Sequence, residues 1–246
     1  VGGRFLDRSL SLDLAFDRAR KGANIIYIGG ESPRPGSEGV SVEEELERVI
    51  PVVEAVAPTI GIPISIDTMK ADVAGAALDA GAMMVNDVSA LAFDPHMAGL
   101  VASHGCSVAL MHMRGEPRTM QNNPLYDNVV GEIIDFLGER IAFAERMGVN
   151  KEKIIVDPGI GFGKNLDHNL AILREIRRFH ELGRPVLVGP SRKRMIGMIT
   201  GAPLEERDWG TAAIAAWCAA GGVELLRVHN VKAMRQVCAV VEAVRG

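Results

Sequence analysis

The chain has 246 residues, of which 48% are hydrophobic, 24% charged and only 4% aromatic, and its formal net charge is -4. A pI near 5.9 gives no positive field that would gather nucleic acid or anionic lipid, and no stretch of eighteen uninterrupted apolar residues is present. Its three cysteines, Cys106, Cys218 and Cys238, lack ligand-like spacing, and their odd number argues against a disulfide framework. We therefore expect a soluble, cytoplasmic protein with no nucleic-acid or membrane partner.

Hydrophobic periodicity and turn residues predict helices and strands in regular alternation. The predicted helices cover residues 11–21, 41 onward, 69–80, 94–104, 125–147, 165–182, 205–220 and 231 onward. The predicted strands cover residues 25–28, 63–67, 83–88, 108–113, 154–156, 185–189 and 224–229. The second helix begins with a capping-box pattern at Ser41, and Pro51 should kink it.

This alternation predicts an α/β fold in which each strand is followed by a helix. The length is close to the roughly 250 residues of a (β/α)8 TIM barrel, and no linker or repeat divides the chain. We therefore predict a single TIM-barrel domain over residues 1–246. Such a barrel needs eight strands and only seven are predicted, so the first strand and its loop are expected to precede Val1.

A glycine-rich stretch over residues 154–164 combines a strand, a turn and a helix start. The strand ends at Asp157, and Asn165 is a candidate N-cap for the helix that follows. The glycine spacing does not fit a P-loop, and Gly163 comes one residue too early for a dinucleotide-binding fingerprint. In a parallel α/β fold, Asp157 would lie where ligands bind, beyond the carboxyl ends of the strands.

Polar residues recur at the predicted strand ends. They are Asp67, Asn86, His112, Asp157, Lys193, Arg227 and His229. Arg227 and His229 are two residues apart and share one face of the last strand, where a guanidinium and an imidazole suit a phosphate or diphosphate. Arg34 should join the same site. For His112, a structural and a functional role are equally compatible with the sequence.

Asp67, Asn86 and Asp157 offer two carboxylates and an amide, a set that does not suit structural zinc. A buried carboxylate can accept two parallel hydrogen bonds from a 2-amino group and the adjacent ring N–H, so the three residues suit a flat heterocycle. A pair of carboxylates acting as general acid and base, as in glycosidases, is the alternative.

Seven motifs in chain order resemble the bacterial dihydropteroate synthase family. They are Gly29-Gly30-Glu31-Ser32, Ile66-Asp67-Thr68, Asn86-Asp87-Val88-Ser89, Met111-His112-Met113-Arg114-Gly115, the stretch from Asp157 to Lys164, Ser191-Arg192-Lys193 and Arg227-Val228-His229. The resemblance implies a pterin-binding (β/α)8 barrel that condenses 6-hydroxymethyl-7,8-dihydropterin diphosphate with 4-aminobenzoate during folate synthesis. It also implies Mg2+ as cofactor, a homodimer, and an enzyme of the kind that sulfonamides target.

The resemblance assigns roles to individual residues. The residues implied in catalysis are Asp67, Asp157, Lys193, Arg227 and His229. Those implied in pterin binding are Asp67, Asn86, Met111, Asp157, Phe162 and Lys193. Arg34, Arg227 and His229 are implied in diphosphate binding, and Pro33, Phe162, Ser191 and Lys193 in aminobenzoate binding. No metal ligand is assigned within residues 1–246, because the family's metal-binding Asn is expected before Val1.

The chain departs from the family pattern at three places. Tyr27 replaces an Asp and Pro33 replaces a Thr in the first motif, the Asn-containing loop is not found, and Asn230 stands where the family usually has Asp. Two alternatives remain open at this point: a non-catalytic or impaired pterin-binding homologue, and a pterin-dependent corrinoid methyltransferase.

Overall fold

The computed structural model describes residues 8–32, 39–115, 120 and 124–246. Its chain contacts divide it into a first unit, Val1–Met111 with Glu139–Ile154, and a second unit, His112–Gly138 with Ile155–Gly246. The helices are α1 Arg8–Arg20, α2 Val42–Val56, α3 Ala71–Asp79, α4 Met97–His104, α5 Val129–Arg146, α6 Leu166–Arg174, α7 Arg194–Thr200, α8 Asp208–Ala220 and α9 Val231–Arg245. The strands are β1 Ile26–Ile28, β2 Ile64–Asp67, β3 Met84–Asp87, β4 Ser107–Met111, β5 Ile154–Asp157, β6 Leu187–Val188 and β7 Leu225–Leu226.

The first unit contains a parallel sheet in which β1 to β4 pair in chain order. All residues of β2 and β3 are buried, as expected for strands that are covered on both faces by helices. Their register pairs Asp67 with Asn86. The alternation of short apolar runs with amphipathic helices thus brings two predicted site residues side by side.

In the second unit, β6 pairs with β7 in parallel, and a parallel bridge joins Val156 to Val186. Arg227 N donates to Val188 O at 2.9 Å, so backbone pairing continues past the end of β7. Asn165 and His168 form a capping box that starts α6, which confirms the predicted N-cap.

Several predicted boundaries were wrong. The helix expected over 165–182 ends at Arg174 and continues as a 3-10 helix over Ile176–Leu182, and α7 was not predicted at all. Ser41 caps α2 as predicted, and the helix extends through Pro51. No helix within the described residues combines the length and the apolar character needed to span a membrane.

Candidate active site

The first unit places two predicted pterin-binding residues in direct contact. Asn86 Nδ2 donates to Asp67 Oδ1 at 2.7 Å, and both side chains are buried at the carboxyl ends of their strands. A Cβ atom on Gly29 would lie 2.9 Å from the Asp67 Cβ, so only glycine fits there without displacement. Met111, the third predicted residue of this unit, is also buried at the end of its strand.

The loop that follows Asn86 is held in a strained conformation. Ala90 and Leu91 have φ angles of 55° and 65°, which residues other than glycine rarely adopt. Asp87 Oδ2 accepts from Leu91 N, while Arg140 donates to the Ala90 and Leu91 carbonyl oxygens at 2.7 and 3.0 Å. Such strain persists only where the surroundings fix it, and here the side chains of Asp87 and Arg140 fix the backbone of this loop.

A partly buried ion cluster anchors the loop that follows β1. Lys70 Nζ lies 2.5 Å from Glu31 Oε2 and 2.5 Å from Glu45 Oε2, and it also donates to Val40 O at 2.8 Å. Arg48 donates to Gly30 O in the same loop. Hydrophobic periodicity did not predict that Glu45 is buried, because it treats a charged residue as exposed. The burial of Glu45 depends on its partner Lys70, which lies 25 residues away in the chain.

The second unit contains the other predicted carboxylate, Asp157, which is buried at the end of β5. Its Oδ1 accepts a hydrogen bond from Gly159 N at 2.7 Å. Burial raises the pKa of Asp157 to about 6, against the opposing effect of that hydrogen bond and of nearby cations. These cations are Lys193, Lys164 and Arg227. At pH 7 the carboxylate form exceeds the acid form by about tenfold, so Asp157 can accept hydrogen bonds from a ligand.

His112 lies immediately after β4 and is buried in the second unit. Its backbone N donates to Asp157 O at 2.9 Å, and its ring meets Phe136 edge to face at 4.9 Å between centroids. Burial lowers the pKa of His112 to about 2, and the charge of Lys164 adds to this effect. The imidazole is therefore neutral, and its Nδ1 lies 2.9 Å from Lys164 Nζ.

Lys193 and Phe162 form a cation–π contact, with Lys193 Nζ 4.2 Å from the ring centroid. The side chain of Lys193 also covers Gly161, whose absent Cβ would lie 3.2 Å from Lys193 Cδ. Both residues were predicted to bind the pterin and the aminobenzoate. The structure therefore places an aromatic ring and a cation together.

Ser191 and His229 are hydrogen bonded, with Ser191 Oγ 2.7 Å from His229 Nδ1 and 3.1 Å from the His229 backbone N. The intervening Arg192 has a φ of 54° and donates from its side chain to both carboxylate oxygens of Asp208 at 2.7 and 3.0 Å. Asn230 Nδ2 donates to the same Asp208 at 3.1 Å. The two hydrogen bonds from Arg192 to Asp208 fix the turn from Ser191 to Lys193. Asn230 adds a third hydrogen bond to the same carboxylate.

The structure thus groups the predicted residues within each unit: Asp67 with Asn86, Lys193 with Phe162, and Ser191 with His229. Arg227 follows β7 and contributes its charge to the surroundings of Asp157. Pro33 and Arg34 lie outside the described residues. Sequence reasoning missed the supporting roles of Lys164, Arg140 and Asp208, although Lys164 belongs to one of the quoted motifs.

A comparison with models of protein families identifies the class to which this chain belongs. The family model described as pterin binding enzyme matches residues 1–229. Dihydropteroate synthase of Synechocystis is 46% identical over 243 residues, which cover 98% of this chain and 84% of that protein. The chain therefore belongs to the dihydropteroate synthase family.

Solved structures agree with this assignment. The Yersinia pestis dihydropteroate synthase in a sulfonamide drug complex has a TM-score of 0.95 and 40% identity, covering 97% of this chain and 86% of that one. The Xanthomonas albilineans enzyme in complex with 7,8-dihydropteroate has a TM-score of 0.88 and 42% identity, covering 100% and 88%. The predicted fold class, an α/β fold of the (β/α)8 barrel type, is confirmed, and so is the predicted family.

Proposed function

We propose that this chain condenses 6-hydroxymethyl-7,8-dihydropterin diphosphate with 4-aminobenzoate to form 7,8-dihydropteroate and diphosphate. The observation that carries the proposal is Asp157, a buried carboxylate at the end of β5 that a hydrogen bond from Gly159 N and nearby cations hold largely ionised at neutral pH. A carboxylate in that state accepts paired N–H donors strongly, and a pterin ring offers such a pair. The product complex of the Xanthomonas relative supports the same reaction.

The pterin contacts are assigned residue by residue. Asp157 accepts from the 2-amino group and the neighbouring ring N–H, while Lys193 and Phe162 contact the ring. The same ligand is assigned to Asp67, Asn86 and Met111. Asp67 and Asn86 already share a 2.7 Å hydrogen bond, which fixes the orientation of the amide toward the ligand.

The reaction needs stabilisation of charge on two groups at once. The C–O bond to diphosphate breaks and its electron pair leaves with the diphosphate, so the pterin methylene becomes cationic. Arg227 and His229, with Arg34, bind the leaving anion, and Asp157 and Asp67 stabilise the electron-poor pterin. The aminobenzoate nitrogen then forms the new C–N bond and loses one proton.

The aminobenzoate is assigned to Pro33, Phe162, Ser191 and Lys193. Phe162 offers an aromatic ring, and Lys193, whose ammonium lies over one face of that ring, offers a cation for the carboxylate. The arylamine needs no strong general base, because it attacks a carbon that has already lost its leaving group. The sulfonamide complex of the Yersinia relative supports an arylamine subsite, and sulfonamide sensitivity belongs to the same proposal.

Mg2+ is proposed as a cofactor that arrives with the diphosphate. The described residues do not by themselves fit the ion: no group of three or more His, Cys, Asp or Glu side chains there could hold a metal. Asp208, the carboxylate near His229, is already engaged by Arg192 and Asn230. Mg2+ binds readily through phosphate oxygens and water, so the substrate would supply its ligands, and no step above depends on it.

A homodimer and a cytoplasmic location complete the proposal. The second unit exposes an apolar hollow between α8 and α9, lined by Ala213, Ala216, Trp217, Ala220, Val240, Val241, Val244 and Arg245. Trp217 is 57% exposed and Val244 82% exposed, which favours burial against a second copy. Val244→Glu should convert a dimer to a monomer in light scattering, whereas Met83→Glu, at an exposed residue of the first unit, should not. A monomeric wild type would contradict the dimer.

The reaction is tested with the purified chain, Mg2+ and both substrates. Isothermal titration with the pterin diphosphate, followed by aminobenzoate, should show ordered binding, and diphosphate should be released in step with 7,8-dihydropteroate. Pterin binding without diphosphate release would indicate a binding protein. Methyl transfer from a methylated pterin to a corrinoid would indicate the methyltransferase.

A further inference from the structure

Lys164 is buried in the second unit and is assigned to neither substrate in the reaction described above. It ends the glycine-rich stretch that begins at Asp157, and only 2% of the residue is exposed. Burying an ammonium in this way is costly unless each of its protons is hydrogen bonded. The groups that accept hydrogen bonds from the Lys164 ammonium therefore indicate its structural role.

The Nζ atom of Lys164 has three acceptors. It lies 2.8 Å from Phe162 O, 2.9 Å from His112 Nδ1 and 3.3 Å from His112 O. Three acceptors match the three protons of an ammonium group, and His112 can accept because its imidazole is neutral. The contacts therefore favour the charged form of Lys164, although burial lowers its pKa to about 7.

These bonds close the glycine-rich stretch on itself. His112 N donates to Asp157 O, and Lys164 then connects His112 to the carbonyl of Phe162. Gly159 permits the close approach, because a Cβ atom there would lie 1.9 Å from His112 O. One buried cation thus fixes the backbone position of Phe162 relative to Asp157.

We propose that Lys164 is a positioning residue: its buried ammonium, hydrogen bonded to His112 and to the Phe162 carbonyl, holds Phe162 in place relative to Asp157. This inference rests on the proposed function, since it takes Asp157 and Phe162 as ligand-binding groups. The charged groups that act on Asp157 are Lys193, Lys164 and Arg227, and those that act on Lys164 are Asp157 and Lys193. Removing Lys164 leaves Asp157 with two cations.

The first test is Lys164→Met, with Lys232→Met as a control at an exposed lysine of the same unit. Wild type should bind the pterin diphosphate more weakly as the pH falls through the pKa of Asp157. In Lys164→Met the midpoint of that profile should rise by about one pH unit, because a cation that favours the carboxylate is gone. The KM for aminobenzoate should rise about tenfold, since Phe162 loses a hydrogen bond from a charged donor.

A second pair of variants keeps Lys164 and changes its acceptor. His112→Asn places an amide oxygen near the position of Nδ1 and should keep the wild-type pH midpoint, whereas His112→Leu removes the acceptor and should behave like Lys164→Met. The control Lys232→Met should match wild type throughout. If wild type binds the pterin and both Lys164→Met and His112→Leu keep its pH midpoint and its KM for aminobenzoate, the positioning role is refuted while the proposed function stands. If wild type binds no pterin, the proposed function itself fails.

Discussion

Asp157→Asn should abolish pterin binding and stabilise the protein at the same time. The amide oxygen can still accept from Gly159 N, so the local backbone keeps its hydrogen bond. The NH2 group, however, would point a donor at one of the two ligand N–H groups, and an unpaired donor pair in a dry site costs several kcal/mol. Binding by titration calorimetry should fall below detection.

The gain in stability follows from the pKa of Asp157. Burial raises it from 3.8 to about 6, so the ionised side chain destabilises the folded protein. A tenfold change in an ionisation constant is worth about 1.4 kcal/mol, which gives an upper limit of about 3 kcal/mol at pH 8. For a chain of this size that corresponds to a Tm several degrees higher in Asp157→Asn.

The sign of this change in stability can be checked by measuring it at different pH values. A group whose folded-state pKa is raised costs stability as the pH rises from the unfolded value to the folded one, so the advantage of Asp157→Asn should shrink to about half at pH 5. Asp135→Asn, at an exposed carboxylate of the same unit, is the matched control and should show no such pH-dependent gain. A variant that binds pterin normally, or that is no more stable than wild type at pH 8, would refute the reasoning.

Three further changes have defined outcomes. Arg227→Ala should weaken binding of the diphosphate substrate by at least about tenfold, and much more than binding of free pterin, because the lost contact is to the leaving group and free pterin loses only the effect of the Arg227 charge on Asp157; equal losses in calorimetry would remove that role. Asn230→Asp would turn a donor to Asp208 into a like charge, so Tm should fall by about 2–4 °C, and less in high salt; an unchanged Tm would contradict the contact. Gly159→Ala would place a Cβ 1.9 Å from His112 O at a φ of 71°, so the purified variant should have lost pterin binding, and retained binding would contradict that geometry.

The strands and their carboxyl-end residues could be predicted because the signals are local. The short run Ile64-Ser65-Ile66 has a β-branched isoleucine at each end, and Asp67 follows it, so sequence alone places the carboxylate. The same holds for Asp157 and for the cap at Asn165. Parallel pairing then follows from alternation with helices, without knowledge of any contact.

The interactions that support these residues could not be predicted, because their partners are distant in sequence. Arg140 bonds to carbonyl oxygens about fifty residues away, and Lys164 bonds to a histidine 52 residues away. The helix α7 was missed because its sequence, Arg194–Thr200, is short, contains Gly197 and follows a polar turn. The turn to 3-10 geometry at Ile176 occurs where that residue packs on Gly221, a contact that periodicity does not encode.

Burial raises the pKa of Asp157, and the hydrogen bond from Gly159 N and the neighbouring cations lower it. The result suits a carboxylate that binds a ligand. With full hydration its hydrogen bonds to water would compete with the pterin, and with a tighter internal ion pair its oxygens would already be satisfied. Here the cations act on Asp157 through their charge, whereas Asp157 Oδ1 accepts its hydrogen bond from Gly159 N. A ligand that donates two N–H groups would therefore lower the pKa of Asp157 on binding. Pterin affinity should be highest above pH 6 and decline in acid, where the carboxyl group must first lose a proton.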